Sequence, residues 1–295
     1  MFTKKQFGFT LQLLIALLAL SLLLAACSTT AAPTTQPDPT ATSAPAATVE
    51  PTATTTLPDP TATPMPVEPT ATAVPPTDDS LDISLDTSGM ATGFQTETVT
   101  AVPANDAPYW EVLPEYTRLT LQGYPITNHL LQPQIFIYPV EELSTVNEGA
   151  GMIVTSLQTL IQSPQEITPM PFLPLFNATQ VMHAHVQYLD FKNGQGLRYL
   201  TEFDQGIVPI NNYELIYTYQ GLTSDGRYYV AAVLPVGHPS LPEDATITGN
   251  EPPEFTSDFP AYLANVVSTL NPQAGNTFTP DLIQLDAMMS SLEIK

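Results

Sequence analysis

The chain is poor in positive charge. It has 7 Lys and Arg against 29 Asp and Glu in 295 residues, a formal net charge of −22 at pH 7. Proteins that bind nucleic acid need clustered cations to neutralise phosphates, so this balance excludes nucleic acid as a partner. There is one cysteine, Cys27, which excludes an intramolecular disulfide and any metal site built from several thiolates. Charged residues make up only 12% of the chain, about half the usual share of roughly 25%. Several catalytic signatures are missing too: there is no Gly-x-Ser-x-Gly elbow, Ser-x-x-Lys, His-Glu-x-x-His or phosphate-cradling glycine loop. Gly149-Ala150-Gly151 is only Gly-x-Gly, and it falls where a helix should begin.

Proline is in excess, with 31 residues, roughly twice the ordinary share of about 5%. No single globular domain has this composition, so the excesses must be localised. Lys4 and Lys5 precede an almost wholly apolar stretch from Phe7 to Ala26, which ends in Leu24-Ala25-Ala26-Cys27. A run of about 20 apolar residues could span a bilayer as a helix. A charged start, an apolar centre and small residues at the end read better as a secretory signal. The four-residue ending resembles the lipobox of bacterial lipoproteins, Leu-(Ala/Ser)-(Gly/Ala)-Cys. That resemblance implies cleavage before Cys27, a diacylglyceryl group on its thiol and often an acylated amino terminus. Two or more acyl chains hold a protein stably at a membrane, whereas one does so only marginally. The expected location is the extracytoplasmic face of the cell membrane, with the lipid anchor on Cys27.

Residues 28–80 hold 12 of the prolines and 16 threonines, and no Lys, Arg, Phe, Tyr or Trp. Such a segment cannot bury enough apolar surface to offset the entropy of ordering, and it reads as a disordered Thr/Pro/Ala-rich tether with polyproline character. At about 3.1 Å per residue its full extension is roughly 160 Å. Residues 81–105 are also weakly patterned, so the expected organisation is a signal peptide at 1–26, a lipidated stalk at 27–105 and one domain at 106–295. Residues 81–295 carry 23 acids against five cations, Arg118, Lys192, Arg198, Arg227 and Lys295.

Within the domain, strands are expected at 117–124, 134–140, 181–191, 197–204, 213–220 and 227–236, from alternation and from β-branched or aromatic content. Thr223-Ser224-Asp225-Gly226 between the last two reads as a hairpin turn. The nearly continuous apolar run Tyr228–Leu234 reads as a central strand covered on both faces. Asn147 should cap a helix to Gln162. A second helix carries Phe259, Leu263, Val266 and Leu270 on one face. Thr279-Pro280-Asp281 should start a third, with Leu282, Leu285, Met289 and Leu292 facing inward. The fold class is therefore α+β: an antiparallel sheet of about five to six strands packed with three helices. The hairpin Asp225-Gly226-Arg227-Tyr228-Tyr229-Val230 and the terminal Leu285-Asp286-Ala287-Met288-Met289-Ser290-Ser291-Leu292 together resemble the end of PsbP-like α/β/α sandwich domains. The resemblance covers about 80 residues and implies a fold alone.

Candidate chemistry is sparse. His183 and His185 are two apart on a strand, so both rings should share a face and could reach one metal, with His129 or His238 as a third ligand. The plainer alternative is a wet strand face, so no metal or other cofactor is assigned. Gly237-His238-Pro239-Ser240 brings a histidine near a serine. Glu243, Asp244, Glu251, Glu254 and Asp258, with Asn250, form an acidic stretch that could attract calcium or simply be solvated. Asn177-Ala178-Thr179 fits a glycosylation sequon that is idle in bacteria. Tyr213, Tyr217 and Tyr219, with Leu215, are either core or, if exposed, a binding platform. The expectation is a membrane-anchored protein whose domain binds a protein or a small molecule, with no catalytic residue assigned. A hydrolase with a histidine-containing pocket and an accessory subunit of a membrane complex are the alternatives.

Overall fold

The structure is a computed structural model and describes residues 81–295. The expected signal peptide, Cys27 and the tether up to residue 80 lie outside the described residues. Along the chain run β1 (Ile83–Ser84), β2 (Gly93–Val99), β3 (Tyr116–Gln122), β4 (Gln134–Pro139), α1 (Val140–Val146), α2 (Glu148–Gln162), β5 (Thr179–Phe191), β6 (Gly194–Asp204), β7 (Ile216–Thr223), β8 (Tyr228–Pro235), α3 (Pro253–Ser257), α4 (Phe259–Leu270), α5 (Leu282–Ser290) and β9 (Glu293–Ile294). Seven strands form one antiparallel sheet in the order β2-β3-β4-β8-β7-β6-β5, and β1 pairs with β9. The α+β class and the antiparallel sheet stand, with seven strands instead of five or six and five helices instead of three. No helix among the described residues is long and apolar enough to cross a membrane.

Period-two alternation divides the sheet into two packed faces. On β8, Val230, Ala232 and Leu234 enter one core with residues of α4 and α5, while Tyr229, Ala231 and Val233 enter the other with α1 and α2. Seven of the eight β8 residues are buried, as expected for a strand covered on both sides. The Asn147 side chain caps α2 by accepting from the Ala150 amide at 3.0 Å. The cap of α5 is Asp281, whose carboxylate accepts from the Ile283 amide at 2.8 Å. Thr279, two residues earlier, is held in a bridge to Gly237. The hairpin turn is as expected: Gly226 takes φ +71° and its amide donates to the Thr223 carbonyl at 2.8 Å.

The expected boundary at 106 needs correction, because the folded unit already includes residues 81–105. β2 runs antiparallel to β3 over its full length, and β1 pairs Ile83 with Ile294. β2 is an edge strand of sequence GFQTETV with four consecutive exposed residues. Backbone pairing holds it in place, and it presents almost no apolar pattern to read. The second unexpected element, α1, follows directly on β4 and buries one side chain, Leu143.

Candidate functional site

Two neighbourhoods on β5 and β6 concentrate the unusual chemistry. The first is a cleft of ≈ 510 Å³ over β5, the edge strand. The β5–β6 ladder breaks between Ala184 and Gln187, and within that bulge His185 adopts φ +53°. A side-chain-bearing residue pays roughly 1–2 kcal/mol for this left-handed backbone, so its surroundings must impose it. The His185 amide donates to Asn271 Oδ1 at 2.8 Å, and its ring Nε2 lies 2.7 Å from the Leu270 carbonyl. Its own carbonyl accepts from Arg198 Nη1. Arg198 also donates to Gln187 Oε1 at 2.9 Å and pairs with Asp286 at 3.0 Å, and Asp286 accepts from the Tyr217 hydroxyl at 3.0 Å. A buried ion pair between β6 and α5 thus pins the bulge.

The bulge decides the fate of the His183–His185 pair. Both residues line the cleft, but the His185 ring is committed to the Leu270 carbonyl. Among the described residues, no third ligating side chain gathers with the two imidazoles. Burial lowers the pKa of both; the Glu166 charge partly opposes this for His183, so both are neutral at pH 7. Around them stand Gln165, Glu166 and Gln187 with Met170 and Val267, and Val186 and Tyr188 are exposed.

The other sequence candidates are structural. His238 Nδ1 lies 2.7 Å from Ser240 Oγ and also accepts from the Ser240 amide at 3.2 Å, while its Nε2 faces Thr277 Oγ1 at 3.3 Å. This is a local turn with no carboxylate behind the ring, whereas an activated serine needs a base that a third group orients. His129 is held between Leu131 and Leu215 backbone groups, and burial lowers its pKa. In the acidic stretch, Asp244, Glu251 and Asp258 accept from nearby amides at Thr246, Gly249 and Ala261; they shape the loop and cap α4. Tyr217 and Tyr219 are fully buried, their hydroxyls on Asp286 and the Leu189 carbonyl. Tyr213 lies before β7, since that strand starts at Ile216 and not at 213. The three tyrosines therefore form no exposed platform.

The second neighbourhood was not among the sequence candidates. Glu202 and Asp204, at the end of β6, and Glu214, just before β7, each bring a carboxylate oxygen within 4.8 Å of the others. Glu202 is fully buried, and Asp204 is 9% exposed. Burial, reinforced by Asp204 and Glu214 against hydrogen bonding from Asn211, pushes the Glu202 carboxyl up to about 9. Burial and Glu214 push Asp204 up to about 6. Asn211 sits among them: its backbone amide donates to Glu202 Oε2 at 3.1 Å, and Nδ2 donates to Glu202 Oε1 at 3.2 Å and Glu214 Oε2 at 2.7 Å. The Glu-x-Asp spacing was visible as two acids on one strand face, but alternation alone marks that face as wet. Compared with protein-family models, curated proteins and solved structures, the chain finds no match.

Proposed function

We propose that the protein is an extracytoplasmic lipoprotein: Cys27 carries the membrane anchor, residues 28–80 form a tether, and the acidic domain is a non-catalytic binding module for a protein or small-molecule ligand. The anchor is supported by Leu24-Ala25-Ala26-Cys27 at the end of a charged-then-apolar leader. The binding role rests on one observation, the cleft over the strained β5 bulge. Concave sites with an apolar lining and a few convergent polar groups are the usual form of a ligand site. Here Met170, Val186 and Val267 supply the lining, and His183, Glu166 and Gln187 supply the polar groups. Backbone strain also collects at ligand clamps, and His185 carries it here.

The anchor is tested by Cys27→Ser. The variant should leave the membrane fraction; a variant that still sediments with membranes would refute lipidation. The cleft is tested by thermal-shift screening of short peptides, sugars and amino acids against the parent, His183→Ala and Tyr188→Ala. A hit should vanish in both variants, and hits that persist in both would move the site elsewhere. A second reading is favoured by helices on both faces of the antiparallel sheet, the arrangement a PsbP-like domain implies. On that reading the domain is an accessory subunit of a membrane complex.

A further inference from the structure

We propose that Glu202, Asp204 and Glu214 hold a calcium ion, at a site separate from the β5 cleft and independent of any ligand bound there. The first ground is geometry. Oxygens around one calcium lie 2.3–2.6 Å from the ion, so ligands of one ion are separated by up to about 5 Å, and the three carboxylate oxygens lie within 4.8 Å of one another. The second is an unsatisfied atom. Asp204 Oδ2 is buried without a hydrogen-bond partner, on a residue only 9% exposed. A buried carboxylate oxygen with no donor is costly, and a cation supplies what the surrounding protein does not.

The third ground is the distribution of positive charge. The five cations of residues 81–295 all have acid partners elsewhere: Arg118 with Glu97, Lys192 and Lys295 with Glu293, Arg198 with Asp286, and Arg227 with Asp225. His129 feels the Glu214 charge, but burial lowers its pKa against that charge and against its hydrogen bonds to the Leu131 and Leu215 backbone. No lysine or arginine of the described residues therefore pairs with Glu202, Asp204 or Glu214.

Ligand chemistry selects the ion. An all-oxygen set without His or Cys suits hard cations, and calcium accepts irregular coordination where magnesium demands a near-ideal octahedron. Asn211 plays the supporting part, donating to one oxygen of Glu214 and to both of Glu202. Each of those oxygens keeps a second lone pair for the ion. Two adjoining clefts reach the cluster: Asp204 lines one of ≈ 670 Å³ and Glu214 one of ≈ 340 Å³. Water can complete the shell from either.

The experiment uses the full-length protein in detergent, stripped with EDTA at pH 7.5 and titrated with calcium chloride by calorimetry and thermal unfolding. One calcium should bind per chain, and the midpoint should rise by about 5–11 °C at hundredfold saturation. Asp204→Asn and Glu214→Gln should each weaken binding at least tenfold, while Asp244→Asn in the exposed loop leaves it unchanged. Glu214 is only partly buried, so its variant keeps the test alive if Asp204→Asn does not fold. The proposal is overturned if the parent neither binds nor shifts. It is equally overturned if the two site variants respond like the parent, which would place the ion on surface acids. Stabilisation by Asp204→Asn with no calcium response in the parent would overturn it in favour of a shared proton.

Discussion

Arg198 and the Glu202–Asp204 pair sit on the same strand, on the same face, four and six residues apart, yet they solve the burial of charge in opposite ways. Arg198 meets Asp286 with two nitrogens, and its remaining donors go to Gln187 and the His185 carbonyl. Every charge there has a partner within the chain. Glu202 accepts from the backbone and side-chain amides of Asn211, Asp204 Oδ2 accepts from nothing, and the third member of the cluster, Glu214, is another acid. A buried ion pair is close to neutral in net stability, but either half left alone is severely destabilising. This fold can thus set a cation of its own against a largely buried acid. The acid cluster has no lysine or arginine partner, and the proposed calcium ion would supply the positive charge.

The largest expected effect lies at Arg198. Arg198→Ala should cost up to about 3–5 kcal/mol in urea unfolding, because the largely buried Asp286 side chain loses its counter-charge. Arg198→Met combined with Asp286→Leu should cost far less; equal losses would mean that packing, not charge, is at stake.

The cluster should respond to pH with a defined sign. A carboxyl whose folded pKa exceeds its unfolded pKa favours the folded state at low pH, and that benefit is lost as pH rises towards the folded value. His129, His183, His185 and His238 act oppositely. Burial lowers each pKa, so their contribution is complete above about pH 6.5 and lost as pH falls. The window from 6.5 to 9 is therefore left to Glu202, pushed up to about 9. Calcium-free protein should lose stability across it, and Glu202→Gln should gain at least about 1.4 kcal/mol at pH 8, the worth of one pKa unit. A Glu202→Gln profile parallel to that of the parent would contradict the assignment.

Asn211→Ala should weaken calcium binding by about tenfold, the scale of lost support to a ligand set, with the stoichiometry unchanged in calorimetry. The smallest effect belongs to the exposed pair Glu97–Arg118, 2.6 Å apart on β2 and β3. Glu97→Ala should cost under about 1 kcal/mol; a larger loss in urea unfolding would mean that the β2 edge depends on this pair.

Much of the fold was legible because the sheet interior is written in apolar residues. Tyr228–Leu234 announced a strand covered on both faces, and Asn147 announced the start of α2. β2 was illegible because an edge strand held by backbone pairing needs little hydrophobic pattern. The site was legible only in part. His183 and His185 were visible, but the bulge that separates their roles depends on Arg198 and Asp286, 88 residues apart. Glu202 and Asp204 were visible as acids on one face. What makes them unusual is their burial beside Asn211 and Glu214, residues of the following loop that no local pattern ties to them.

The most direct measurement is a crystal structure of the protein grown with calcium, with manganese as an anomalous stand-in. The account predicts one ion bounded by Glu202, Asp204 and Glu214, with calcium–oxygen distances of about 2.3–2.6 Å and Asp204 Oδ2 among its ligands. Bare carboxylates there, with ions only on the exposed acids of the 243–258 loop, would contradict it.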